Sequence, residues 1–383
     1  MGVSRPSWGS NAPYRSRVGS RLTSRSLFGS GDQLKCQLNG HSGDASTMAY
    51  VHLHAGMPRA GSSALQTFCR SNPGLLAASG VAYPQIPRLT MKPFAAAACN
   101  GADLSNYICN DPTAISNGPE GLERIIAFLQ TVKARHIVIS SEFFFGADPR
   151  RLALLRDAFH AARLPLKVYL YVREPFEWLV SCYAQYVKSR SLTVDVNQYL
   201  LQALPDVRIA DAIGDLKEVY GTSFELALYR RDELKDRDIC SDFFGRMGID
   251  LGPLDSAPDV NASANAVELE ALRRFNQLIG DDLWSRLHGR RFLRFARDVQ
   301  LEGPPIGRCV RQEVEEEARR RLDEEVAAIR TRFYPDRTES LFAPPPEVER
   351  ISLEELNESR LVRAITDSMV SVARLKERKA KQR

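Results

Sequence analysis

The chain has 383 residues, 44% of them hydrophobic and 26% charged, with a formal net charge of +5. This ordinary globular composition suits one large α/β domain with extensions. No stretch approaches the roughly 18 uninterrupted apolar residues of a membrane span, and the mild charge points to an anionic ligand more than to a nucleic-acid coat. The 7 cysteines are dispersed, with no CxxC pair. They read as reduced thiols in a cytoplasmic protein and support neither a disulfide framework nor a zinc site.

Residues 1–47 are rich in Ser, Arg and Gly and lack apolar periodicity. Such a segment cannot bury enough surface to offset its ordering entropy, so a disordered extension is expected there. Met48 stands immediately before the first predicted strand, "AYVHLHA" (49–55), which runs into a glycine loop and then a helix over 62–71. Asn72 and Pro73 fit an N-cap and first-turn pair opening a second short helix. "GLERIIAFLQTVKA" (121–134) places Leu122, Ile125, Ile126 and Leu129 on one helical face. The apolar runs at 136–144, 166–174 and 224–234 have strand length. Strands alternating with helices predict an α/β fold, a three-layer sandwich with a mainly parallel central sheet and helices on both faces. Residues 311–332 form a charged helix, and "APPPEV" (343–348) separates it from a last segment expected to be a helix ending in a basic tail. The domain is therefore expected to span 48–345, with a C-terminal helical basic tail over 346–383.

The loop after the first strand has the outline of a phosphate cradle. Gly56, four residues and Gly61 match a Walker A spacing, but Ser62 stands where that motif has its lysine, and Arg59 is the one cation inside. Glycines let the backbone close around an anion, and the helix beginning near Ser62 points free N–H groups at it. Without the lysine, a triphosphate–Mg²⁺ site is poorly served, which weighs against a kinase or NTPase. A plain strand–turn–helix junction is the bland alternative. In "VREPFEWLVSCY" (172–183), Arg173 ends a strand, Pro175 opens a helix and Ser181 lies about two turns inside it. Ligands of parallel sheets gather at strand carboxyl ends, so Arg173 and Ser181 are placed to meet a second phosphate.

Together these stretches resemble the sulfotransferases that use 3′-phosphoadenosine-5′-phosphosulfate (PAPS), and in particular their bacterial carbohydrate-type members. "GMPRAGSSALQ" is similar to the family's 5′-phosphosulfate loop and "VREPFEWLVSCY" to its 3′-phosphate motif, R-[DE]-P-x(5)-S-x-Y. "NPGLLAASGVAYP" (72–84), "SSEFF" (140–144) and "NASANAVELEALRRFN" (261–276) also look like segments of those members. The resemblance implies a P-loop fold, PAPS as donor with adenosine 3′,5′-bisphosphate (PAP) as product, no metal, and an acceptor hydroxyl, with a glycan favoured. It implies that Pro58, Arg59, Ala60, Gly61, Ser62 and Ser63 hold the 5′-phosphate and that Arg173 and Ser181 hold the 3′-phosphate. Tyr229 corresponds to a tyrosine beside the adenine, or is a buried strand tyrosine. Arg59 replaces the family's usual loop lysine, which leaves open a nucleotide-binding relative without turnover. For the general base, Glu142 at the end of a buried strand is first choice and His54 second.

Overall fold

The computed structural model describes residues 49–86, 100, 101, 104, 119–189, 191–254, 264–279, 302–344, 349–358, 362, 366, 367 and 370. The extension over 1–47 lies outside the described residues.

Five parallel strands form one sheet in the order β2-β3-β1-β4-β5. They are β1 (Tyr50–His54), β2 (Val81–Ala82), β3 (His136–Ser140), β4 (Leu166–Val172) and β5 (Phe224–Leu228). Val51, Leu53, Ile137, Val138, Ile139, Val168 and Leu170 are buried in the sheet, as expected where helices cover both faces.

The connections follow from strand order. After β1 the chain passes through α1 (Ser62–Ser71) and α2 (Pro73–Ala78) to reach β2, on the β3 side of β1. It returns through α3 (Pro119–Thr131) and α4 (Pro149–Ala161), crosses β1, and continues through β4, α5 (Pro175–Ser189), α6 (Val196–Ala203) and α7 (Ile209–Tyr220) to β5. Right-handed crossovers that run in opposite directions put their helices on opposite faces. Accordingly α3, α4 and α7 pack in series, while α1 packs against α8 (Ile239–Arg246).

The predicted apolar face of α3 is the buried one: Leu122, Ile125, Ile126 and Leu129 all face inward. The charged segment near 320 is α10 (Gln312–Phe333), and a narrow stripe of Val314, Ala318, Leu322 and Ile329 seats it against the domain. Asn72 and Pro73 take the expected N-cap and first-turn positions of α2. The carbonyl of Asn72 accepts from Leu76 N at 3.1 Å, but its backbone N–H and side-chain amide both donate back to Phe68 O, so Asn72 also closes α1 and gives α2 no side-chain cap.

Described residues beyond 345 also contact the domain. Ile351 N donates to Arg308 O at 2.9 Å, Arg350 reaches Val310 O, and α11 (Leu353–Glu358) rests on α9 (Ala266–Ile279). Leu353, Val362 and Val370 are buried. No helix among the described residues is long and apolar enough to cross a membrane.

Candidate functional site

Because β1 is central and the chain leaves it in one direction and returns past it, the loops after β1, β3 and β4 open onto one crevice. Such a reversal of strand order is where parallel sheets hold ligands. The first of these loops, Gly56 to Gly61, is stitched by Ala60 N donating to Met57 O at 3.1 Å, with Met57 and Ala60 fully buried and Pro58 half-buried. Two left-handed residues turn the chain, Arg59 with φ 69 and Gly61 with φ 86. A non-glycine residue held at positive φ is uncommon and costs conformational energy.

Gly56 is needed for space. A methyl group there would stand 2.5 Å from Ser62 Oγ and 2.6 Å from the Cε1 of His54. At Gly61 an added carbon would stand 2.8 Å from the ring of Tyr229, so that ring lies directly on the loop. Tyr229 follows β5 and extends the sheet ladder by donating its N–H to Val172 O at 2.7 Å.

Helix α1 begins at Ser62 with Gly61 as N-cap, no side-chain cap and no acidic residue in its first turn. The side chains of Asp148, Asp195 and Asp238 cap α4, α6 and α8. No residue of α1's first turn offers its N–H groups a carboxylate, while the dipole end favours an anion. Among the described residues Ser62 Oγ is buried and without a hydrogen-bond partner, and so is His54 Nε2. Buried polar atoms almost always find a partner, so two orphans flanking one loop are an unmet demand. Ser63 is exposed.

The two motifs meet in space. Arg59 Nε donates to Ser181 Oγ at 3.0 Å, and a terminal nitrogen of Arg173 donates to Arg59 O at 3.3 Å. Arg173 also pairs with Glu177 at 2.8 Å. Burial lowers the guanidinium pKa of Arg59, and the charge of Arg173 lowers it further, with Glu142 acting in the opposite sense. Two cations that repel each other thus stand close to the start of a helix that has no side-chain cap.

Glu142 heads a 3-10 turn (Glu142–Phe144) directly after β3, half-buried. Burial raises its carboxyl pKa and Arg59 opposes that rise. His54 ends β1 beneath the loop with no exposure; its Nδ1 shares a hydrogen bond with Ser140 Oγ at 2.9 Å, and Ser140 Oγ accepts from Gln66 at 3.1 Å. Burial lowers its ring pKa to about 4, so it is neutral at physiological pH. The two base candidates thus occupy different places, Glu142 in the crevice and His54 under the loop floor. Cys182, beside Ser181, is near enough to feel Arg59 and Glu142, but burial pushes its thiol up to about 12, which favours the protonated form.

Asn100 was not singled out in the sequence. Its side-chain amide donates to Val138 O at 2.8 Å and accepts from Ser140 N at 2.9 Å, standing in for the peptide group of a further strand beside β3. It also donates to Pro84 O and takes Tyr83 Oη as a partner for its own N–H. It thereby fixes the end of β3 from which Glu142 projects. Its sequence context, "AAACNGAD", carries no periodic or motif signal.

The long helix α10 supports the site from behind. Arg319 pairs with Glu174 at 3.3 Å, and its guanidinium lies 4.3 Å from the ring centre of Phe176. Glu174 in turn accepts from Glu177 N at 2.6 Å, which caps α5. Comparison with models of known families, with curated proteins and with solved structures yields no match.

Proposed function

We propose that this protein transfers a sulfuryl group from PAPS to a hydroxyl of an acceptor, favouring a carbohydrate. The observation that carries the reading is the cluster of Arg59, Ser181 and Arg173, which joins two separate sequence motifs by hydrogen bonds at 3.0 and 3.3 Å beside an uncapped helix start. The uncapped N–H groups of α1 and the orphaned Ser62 hydroxyl fit the 5′-phosphate, and Arg173 fits the 3′-phosphate. Tyr229, lying against Gly61, fits beside the base.

In this reaction the acceptor oxygen forms a bond to sulfur as the bond from sulfur to the bridging phosphate oxygen breaks. Glu142 takes the acceptor proton. Arg59 meets the negative charge that develops on the bridging oxygen, an interaction that counts for rate because it strengthens as that bond breaks. Arg59 donates hydrogen bonds but does not give up a proton at neutral pH, so it serves as an electrostatic partner and not as an acid. His54 supports the loop floor.

Two measurements test this. Incubation with labelled PAPS and a panel of oligosaccharides should yield a labelled glycan and PAP. Calorimetry should find PAP bound far more tightly than 5′-AMP, with Arg173→Ala weakening PAP about tenfold or more, as expected for a lost charge-assisted hydrogen bond. Equal affinity for the two nucleotides overturns the reading.

A further inference from the structure

Arg173 already holds an anion that belongs to the protein. Its Nε and one terminal nitrogen both donate to Glu177 Oε2, at 3.2 and 2.8 Å, while its other terminal nitrogen donates to Arg59 O. Both contacts to Glu177, in the first turn of α5, fall on a single carboxylate oxygen.

The two carboxylates around Arg173 are held differently. Glu174 is fixed: it caps the helix through Glu177 N and pairs with Arg319. The side chain of Glu177 is 53% exposed, and its one hydrogen-bonding partner among the described residues is Arg173. It can swing into water without losing any other side-chain contact. An exposed ion pair of this kind is weak, and it yields to a stronger ligand for the same guanidinium.

Resting on the nucleotide reading above, we propose that Glu177 is a built-in competitor for Arg173, displaced when the 3′-phosphate binds and re-forming the pair as PAP leaves. A phosphate monoester carries more charge than a carboxylate at neutral pH and takes the guanidinium from it. An uncharged 3′-hydroxyl cannot. The displaced carboxylate stays within a turn of the bound phosphate and repels it. Glu177 therefore lowers affinity for the product specifically at its 3′ end and hastens its release, a step that sets turnover in many enzymes.

The test compares the full chain with Glu177→Gln by calorimetry and stopped-flow binding, using PAP and 5′-AMP as probes. Glu177→Gln should bind PAP about five-fold or more tightly, mostly through slower dissociation, with 5′-AMP affinity unchanged. In an Arg173→Ala background, adding Glu177→Gln should change PAP affinity by less than about two-fold, because the competition has lost its object. Weaker or unchanged PAP binding in Glu177→Gln overturns the proposal and makes Glu177 an orienting partner of Arg173. An equal gain for 5′-AMP also overturns it, since the effect then does not act at the 3′ end. If the unaltered protein binds neither nucleotide, the donor reading itself fails, a result distinct from any of these.

Discussion

Arg59 Nε donates to Ser181 Oγ at 3.0 Å across 122 residues of sequence. That bond ties the loop after β1 to the helix after β4, and it aims a guanidinium held at positive φ into the crevice between them. If Arg59 meets charge that develops in the transition state, Arg59→Ala should cost about 10²–10³ in kcat with less effect on KM. Arg59→Lys keeps a cation on a flexible stem and should retain substantial activity. Ser181→Ala should weaken PAP binding and loosen the Arg59 side chain together, lowering kcat less than Arg59→Ala does. Full kcat in Arg59→Ala would remove the catalytic role of this loop.

Glu142 and Arg59 are coupled by charge, and this predicts a pH effect. Burial holds the Glu142 carboxyl above its ordinary value of 4.5, with Arg59 pulling it down. A base acts when deprotonated, so the acid limb of the kcat profile should lie above that value. Arg59→Ala removes the opposing charge and should move the limb of its residual activity to higher pH. Glu142→Gln should abolish the limb and cost about 10² or more in rate while leaving PAP affinity intact. A limb that stays in place in Arg59→Ala would mean that another group titrates.

The elements that carry a local signal were legible in the sequence. The helix over 62–71 and the helix opening at Pro175 have those bounds in the structure, and the inward face of α3 is the one its periodicity predicts. The loop could be found because glycine spacing is itself a backbone constraint. What could not be read depends on partners distant in sequence. β2 has only two residues, Val81 and Ala82, too few for any period. The stretch 49–55 reads as apolar, yet His52 and His54 are buried in it, with Tyr169 and His136 as partners of His52 and Ser140 as partner of His54 Nδ1, all from other strands. Asn100 acts by side-chain pairing with β3, which no local pattern encodes. The last segment reads as a helix ending in a basic tail, and its high charge gives no sign that Leu353, Val362 and Val370 are buried.

Gly56 gives a stability test of the loop floor. A methyl group there would meet Ser62 Oγ at 2.5 Å and His54 Cε1 at 2.6 Å, closer than carbon contacts allow, and both neighbours are buried. Gly56→Ala should destabilise the protein by about 1–3 kcal/mol, the usual cost of overpacking. It should also displace Ser62 from α1's first turn and weaken PAP binding. Normal melting and normal PAP affinity in Gly56→Ala would show that the floor is not closely packed around that position.

The histidines beneath the sheet's α1 and α8 face predict how the fold responds to acid. Burial lowers the His52 ring to about 3, with the charges of His136 and Lys167 adding to the effect, and lowers His54 to about 4. Both stay neutral in the folded protein, whereas in the unfolded chain they take up a proton near 6.5. Between that value and the folded ones the unfolded state binds more protons, so stability falls as pH falls through the window. Below the folded values both states are protonated and the whole penalty is in force. At pH 5 each histidine should cost about 2 kcal/mol relative to neutral pH. Denaturant unfolding measured from pH 7 to 5 should therefore show a loss that begins before ordinary carboxylates titrate. His52→Gln removes one of the two groups; its absolute stability will change because Tyr169 and His136 lose a partner, so the informative quantity is the slope against pH. That slope should be shallower than in the unaltered protein by about half. An unchanged slope in His52→Gln would place the acid sensitivity outside His52.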